Sequence, residues 1–459
     1  MSRYPISIWW VRSDLRLEDN PALSAATSES DVVIPVFVFN SKLERPKSKL
    51  RSNFLNGALN DLDARLREIR SKLLIKQGDT AEELAKIIDG ESYIPVFANA
   101  GYSKHSKIVE SQVAKHTQLR LFSGQVSIDP SEISKKNSEP FKVYSAFRRK
   151  WENVYQQKIF NTDYRRLGFK AGVESSYDLH SGANSLARSS TRENAIGTLR
   201  TFTEKNGGIN RYIELRDRVD HHTTSGMSET ISLGLIGPNE LFQVANSLGQ
   251  SSVENRNCRS VNSWRNQLIW REFFKHSLNH FPESENQSLN PNLTNIEWIN
   301  HKEEIEAWYE GETGYPIVDA AMRQLSDEGW IHNRLRMIVA SFLVKDLLVD
   351  WRIGANWFHD KLVDYDSALN SGNWQWVAGT GFDASPFFRV FNPVLQGRKF
   401  DPKGNYVRRW VPEIKKLPSR FIHSPWELPH PPKNYPYPII DHGWARKRVL
   451  SVYADAKSS

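Results

Sequence analysis

Five short apolar runs crowd the first 125 residues, and they limit the possible fold more than any other feature of the chain. They read ISIWWV (6–11), VVIPVFVF (32–39), LLIKQG (73–78), YIPVFANA (93–100) and LRLFSG (119–124). The stretches between them, such as Asn53 to Lys72 and Thr80 to Ile88, have helical periodicity. Uninterrupted apolar strands alternating with helices predict a parallel sheet covered on both faces, joined by right-handed crossovers. The expected fold is therefore α/β, a doubly wound parallel sheet over residues 1–130. No Gly-x-Gly-x-x-Gly turn follows the first run, so a dinucleotide in the usual position of such sheets is not supported.

The pattern then changes. Residues 131–195 are irregular and rich in Ser, Lys and Asn, with one helix-like stretch, FKVYSAFRRKWENVYQQ (141–157), and predict a connector draped over the surface. From 196 to 459 apolar residues recur at spacings of three and four, as at Leu335, Ile338 and Phe342, which predicts an all-helical C-terminal domain. That segment holds 12 of the 15 tryptophans. The last 30 residues are Pro-rich, with no long polar tail.

Composition restricts the setting. With 39% apolar and 25% charged residues the chain is of ordinary globular type. No run of eighteen apolar residues and no secretory leader pattern is present, so the expectation is a cytoplasmic protein with no membrane partner. Cys258 is the single cysteine, which excludes an internal disulfide and any four-thiolate iron-sulfur cluster. The formal charge is +8, and residues 386–459 carry 14 Lys plus Arg against 5 Asp plus Glu, so the remainder is about neutral. A basic segment with RRW (408–410) and RKR (446–448) suits phosphate contacts, or is a solvated basic surface.

Three motifs carry chemistry. NRLRMIVASFLVKDLL (333–348) predicts one helix with Asn333 and Met337 on one face and Arg336 beside them, either an ion-paired core helix or one wall of a ligand pocket. Asp364, Asp366 and Asn370 follow at a loop and helix start, where acids commonly act as caps. TSGMS (224–228), twelve residues after Tyr212, offers hydroxyls and a flexible Gly at a helix start, suited to a phosphate or to a simple Ser/Thr cap.

Together with SIWWVRSDLRLEDNPAL (7–23), NQLIWREFF (266–274), WIHNR to WQW (330–376) and FRVFNPVLQGRKFDPKGNYVRRWVPE (388–413), these motifs give a sequence that resembles the photolyase/cryptochrome family over almost its whole length. The resemblance is strongest to class I photolyases for cyclobutane pyrimidine dimers. It implies a Rossmann-like antenna domain, a connector and a helical FAD-binding and DNA-binding domain. For FAD it implies Tyr212, Thr224, Ser225, Gly226, Met227 and Ser228 at the diphosphate and ribityl chain. Trp264, Gln267 and Arg271 would close the pocket, and Asn333, Arg336, Asp364, Asp366 and Asn370 would stand around the flavin, with Arg336 paired to Asp364. Trp374, Trp351 and Trp298 match an electron-transfer triad, indole being readily oxidised. Trp270, Asn333, Arg334, Met337 and Trp376 match residues at a flipped-out dimer, where aromatic faces stack on bases.

The resemblance also discriminates. Photolyases for (6-4) photoproducts carry two histidines at the places of Asn333 and Met337, and plant cryptochromes carry Asp at the place of Asn370. Two departures stand out. Gln267 occupies a position usually held by Glu, and an amide cannot supply a proton. Residues 98–110 lack the Asn-Glu pair of folate-binding members, so the second chromophore, folate-type, deazaflavin-type or absent, stays open. The implied activity is light-driven repair of dimers in single- or double-stranded UV-damaged DNA by a monomer, in the nucleoid if the source is bacterial, with no metal. The alternative is a blue-light photoreceptor with little or no repair, for which Gln267 speaks and against which Met337, Asn370 and the lack of a tail speak.

Overall fold

The structure, a computed structural model, describes residues 3–40, 48–88, 94–170, 172–177, 179, 189–251, 255–386 and 388–458. The strands are β1 (Tyr4–Val11), β2 (Ser30–Asn40), β3 (Leu74–Gly78), β4 (Pro95–Asn99) and β5 (Gln118–Phe122). The first helices are α1 (Pro21–Glu29), α2 (Lys49–Glu68), α3 (Thr80–Ile88), α4 (Lys104–His116), α5 (Tyr144–Val154), α6 (Arg192–Thr203), α7 (Tyr212–Leu215), α8 (Ser228–Ser232), α9 (Pro238–Ser251) and α10 (Asn255–His280). They are followed by α11 (Lys302–Glu310), α12 (Pro316–Glu328), α13 (Asn333–Ser341), α14 (Trp351–Lys361), α15 (Ser367–Ala378), α16 (Pro393–Phe400), α17 (Asn405–Trp410) and α18 (His442–Ser458). The chain divides into two compact units, residues 1–210 with 225–282, and residues 211–224 with 283–459.

In the first unit the five apolar runs form the five strands. They pair in parallel in the order β3-β2-β1-β4-β5, with Ile8 opposite Ile34 on one side and Val96 on the other. Ile8, Trp9, Val33, Val36, Val96 and Phe97 have no exposed surface, as strands covered on both faces require. Polar residues set where the helices begin: Asn20 caps α1 by accepting from the Leu23 amide (3.2 Å), and Ser103 caps α4 by accepting from Ser106 (3.0 Å). Within the stretch read as a connector draped over the surface, one helix is corrected: α5 is not draped over the surface but packed into the unit. It buries Phe147 and Trp151 completely, because Tyr144, Phe147 and Trp151 recur on one face and α10 supplies an apolar partner surface for it. Residues 171, 178 and 180–188 of that stretch lie outside the described residues.

In the second unit all described regular structure is helical. A core of Trp308, Leu325, Leu335, Phe342, Trp351 and Trp374 joins α11 to α15. The single helix expected over 333–348 is corrected in its second half. After Ser341 the backbone widens into a π turn at Phe342–Asp346, with Leu347 bonded back to the Phe342 carbonyl (3.0 Å), and Leu348 then takes a φ of 55°. The Pro-rich end closes with a further helix, α18, whose Val449 and Tyr453 are fully buried. Among the described residues no helix is long and apolar enough to cross a membrane.

Candidate functional site

The second unit builds one group of candidate residues around the start of α13. Gly329, at φ 64°, ends α12, and His332 caps α13 by accepting the Arg334 amide on Nδ1 (3.0 Å). This brings Arg336 to Asp364: Nη2 donates to Oδ2 at 2.7 Å, and Nε donates to the Ile331 carbonyl at 3.0 Å. The Asp364 side chain is 2% exposed, and its second oxygen, Oδ1, is buried with no partner. Asp366 caps α15, accepting from Ala368 (3.0 Å) and Leu369 (3.2 Å). Asn370, one turn into α15, donates Nδ2 to the Ala355 carbonyl (3.0 Å), so its amide plane is fixed with the oxygen directed elsewhere. Asn333 is exposed, with Nδ2 3.9 Å from the half-buried Met337 sulfur. Arg334 is already engaged: it pairs with Asp217 (2.9 Å) and lies over the Phe400 ring (4.5 Å).

The three matched tryptophans all lie in this unit. Trp374 and Trp351 are almost fully buried, and Trp298 is half-buried, edge-on to Tyr453 with centroids 6.3 Å apart. Trp374 meets Phe358 edge-on at 5.0 Å and Trp308 at 6.3 Å. Trp308, with no exposed surface, was not singled out from sequence, and its spacing from Trp374 carries no signal that could have found it. Trp376 is half-buried against the same core, and Tyr212 is buried, its hydroxyl pKa pushed up to about 12 by loss of solvent. Thr224 also belongs to this unit.

The first unit holds the other group. Gly226 turns the chain at φ 62° ahead of α8, and the expected Ser/Thr side-chain cap is absent: Met227, 2% exposed, stands at the cap position. Ser225 precedes this turn and Ser228 opens α8. Along α10, Trp264 is buried edge-on to Phe202 (5.3 Å), Gln267 is half-buried, and Trp270 lies flat on Tyr144 with centroids 3.7 Å apart and planes 8° apart. Arg271 donates to the Gln125 carbonyl (2.6 Å). The neighbouring Glu272 was missed from sequence. It is buried and accepts from the Ser127 amide and the Trp151 indole, both at 2.6 Å, and burial raises its pKa above the ordinary carboxylate range.

Two family models match this chain: the DNA photolyase domain over residues 7–163 and the FAD binding domain of DNA photolyase over residues 264–455. The deoxyribodipyrimidine photo-lyase of Agrobacterium fabrum is 37% identical, covering 98% of each chain. This chain belongs to the DNA photolyase family. The solved structure of a bacterial class III photolyase from Agrobacterium tumefaciens superposes with a TM-score of 0.89 at 36% identity, over 100% of this chain and 99% of that one. A cryptochrome from Synechocystis sp. PCC6803 gives 0.88 at 26% identity, over 98% and 100%. The photolyase thus carries an FAD-binding domain and acts in light-driven DNA repair.

Several arginines of its basic C-terminal segment make contacts within the second unit. Arg398 pairs with Glu427 (3.3 Å), Arg409 with Glu328 (3.1 Å), Arg408 donates to the Leu417 carbonyl (2.7 Å) and Arg448 to that of Asp346 (2.5 Å). Lys415, Lys416, Arg420, Arg446 and Lys447 are exposed.

Proposed function

We propose that this photolyase repairs the cyclobutane class of pyrimidine dimer, as a monomer acting on single- or double-stranded DNA in the cytoplasm. The start of α13 carries this reading. Asn333 and Met337 share one face there, with Nδ2 and Sδ 3.9 Å apart, and neither side chain can serve as a general acid. The adjacent His332 does not replace them, because it is 7% exposed and burial holds its pKa down to about 4, leaving it neutral near pH 7. Such a face suits a lesion that splits by gaining and returning an electron, without a proton from the protein.

Reduced FAD, when bound, supplies that electron under blue light. The buried, unpartnered Oδ1 of Asp364 fits a flavin ring N–H donor, and Arg336 holds the carboxylate in place. The Asn370 amide, pinned through Nδ2, keeps an acceptor oxygen for a ligand nitrogen that bears hydrogen, as N5 of reduced flavin does. Tyr212, Thr224, Ser225, Gly226, Met227 and Ser228 are assigned to the diphosphate and ribityl chain. Trp264, Gln267, Arg271, Asn333 and Asp366 complete the flavin contacts. Trp374, Trp351 and Trp298 relay electrons to oxidised flavin, and Trp270, Met337, Trp376 and Arg334 face the lesion, Arg334 after release from Asp217. In functional terms residues 1–130 form the antenna-type domain, 131–195 the connector and 196–459 the FAD- and DNA-binding part.

Chemically pre-reduced protein, illuminated with oligonucleotides carrying either a cyclobutane dimer or a (6-4) photoproduct, tests the reading by chromatography of the products. Restoration of the cyclobutane substrate alone is expected. Restoration of only the (6-4) substrate overturns the lesion assignment, and restoration of neither favours a photoreceptor.

A further inference from the structure

We infer that Gly354 is a positioning residue for flavin photoreduction, its missing side chain being the notch that lets the Trp374 indole lie against α14, the helix that carries Trp351. The inference rests on the relay role proposed for Trp374. A β-carbon placed on Gly354 would sit 2.1 Å from Cη2 and 2.5 Å from Cζ3 of Trp374, and 2.7 Å from Cδ2 of Leu343. These are the outer atoms of the six-membered ring, so the indole edge touches the helix backbone where a side chain would otherwise stand.

Backbone geometry does not call for a glycine here. The backbone is ordinary right-handed helix, since Gly354 lies inside α14 and its φ is not positive, and glycine inside a helix is destabilising relative to alanine, so the packing is what favours it. The ring has little room to move away. Phe358 meets it edge-on at 5.0 Å, Trp308 meets it at 6.3 Å, and Leu343, Trp308 and Phe358 are themselves buried. To restore ordinary contact at 3.4 Å the ring edge would retreat by about 1.3 Å in a close-packed core. Gly354 stands three residues after Trp351, on the same helix face. The contact of Trp374 with α14 at Gly354 therefore falls one turn from the next proposed relay ring, and electron transfer between indoles falls steeply with separation. The glycine sets that separation.

The test uses the FAD-loaded full chain with Gly354→Ala. Photoreduction of oxidised flavin is expected to fall severalfold relative to repair by the same protein after chemical reduction, with FAD content equal to the parent's. A purely structural role would lower FAD content or both activities together. Trp374→Phe, run in parallel, should abolish photoreduction; if it photoreduces normally the relay reading itself fails and the inference falls with it. If Trp374→Phe abolishes photoreduction while Gly354→Ala keeps the parent's rate, the relay stands and the positioning role is overturned. Should Gly354→Ala not fold, the double variant Trp374→Phe/Gly354→Ala decides, because phenylalanine does not reach as far towards the added methyl. A double variant that binds FAD and melts no lower than Trp374→Phe upholds the contact, and one that also fails to fold overturns it.

Discussion

Replacing Arg336 by Met is expected to expose how much the second unit depends on one buried ion pair. The substitution removes the 2.7 Å bond to Asp364 and the 3.0 Å bond to the Ile331 carbonyl while keeping an unbranched apolar stem of similar reach. It leaves a carboxylate that is 2% exposed with both oxygens lacking a partner, since Oδ1 has none already. Breaking a buried pair from one side costs roughly 3–5 kcal/mol, and because the Arg336 side chain is itself 24% exposed, the low end, about 3 kcal/mol, applies. For a unit of this size that corresponds to a fall of about 6–12 °C in melting temperature. The assay is thermal unfolding followed by circular dichroism, with FAD content measured on the same samples after gel filtration. Adding Asp364→Asn to Arg336→Met removes the uncompensated charge and should recover most of the stability but not the FAD. If Arg336→Met melts within about 2 °C of the parent, or if the double variant melts lower still, the pair is not what holds this region together.

Two further substitutions probe the first unit. His276 is 1% exposed, accepts the Phe141 amide on Nε2 (3.2 Å) and lies 4.5 Å from the ring of His280; burial holds its pKa down to about 3, below the 6.5 of an unfolded chain. From pH 6.5 down towards 3 the unfolded chain takes up a proton that the folded chain refuses, so stability is lost as pH falls through that window. His276→Gln keeps an acceptor for Phe141 without a titrating group. Between pH 7 and pH 5 it should therefore lose about 2 kcal/mol less stability than the parent in denaturant melts, and an unchanged pH profile would refute the assignment. Gln267→Glu is expected to maintain or raise the quantum yield of dimer repair, because a carboxylic acid can donate a hydrogen bond to the lesion as the amide does and, if needed, a proton. A clear fall in yield at constant FAD content would mean that this position is built for an amide.

Features that depend on local pattern or residue chemistry could be read before any packing was known. The five strands fell on the five apolar runs because continuous apolarity over a few residues leaves a covered parallel sheet as the ready way to bury it. The lack of a general acid at Asn333 and Met337 and the cap at Asp366 were legible from residue chemistry, and the Arg336–Asp364 pair was implied by the resemblance to the photolyase/cryptochrome family. Contacts between segments distant in sequence needed the packed fold. α5 passed for surface connector because its apolar face is short, and only the surface of α10 shows why Trp151 is buried. Arg409 and Arg448 belong to the basic segment by sequence, and only the fold brings Glu328 and the Asp346 carbonyl within their reach. The helix read through 348 opens at Phe342 into a π turn, which no spacing of apolar residues announces. Gly354 carries no signal in the sequence, and only the fold places Trp374, twenty residues on, in the space of its absent side chain. Periodicity reports which face of an element is buried; what it is buried against depends on packing between elements, and the approach of Trp374 to α14 is set there.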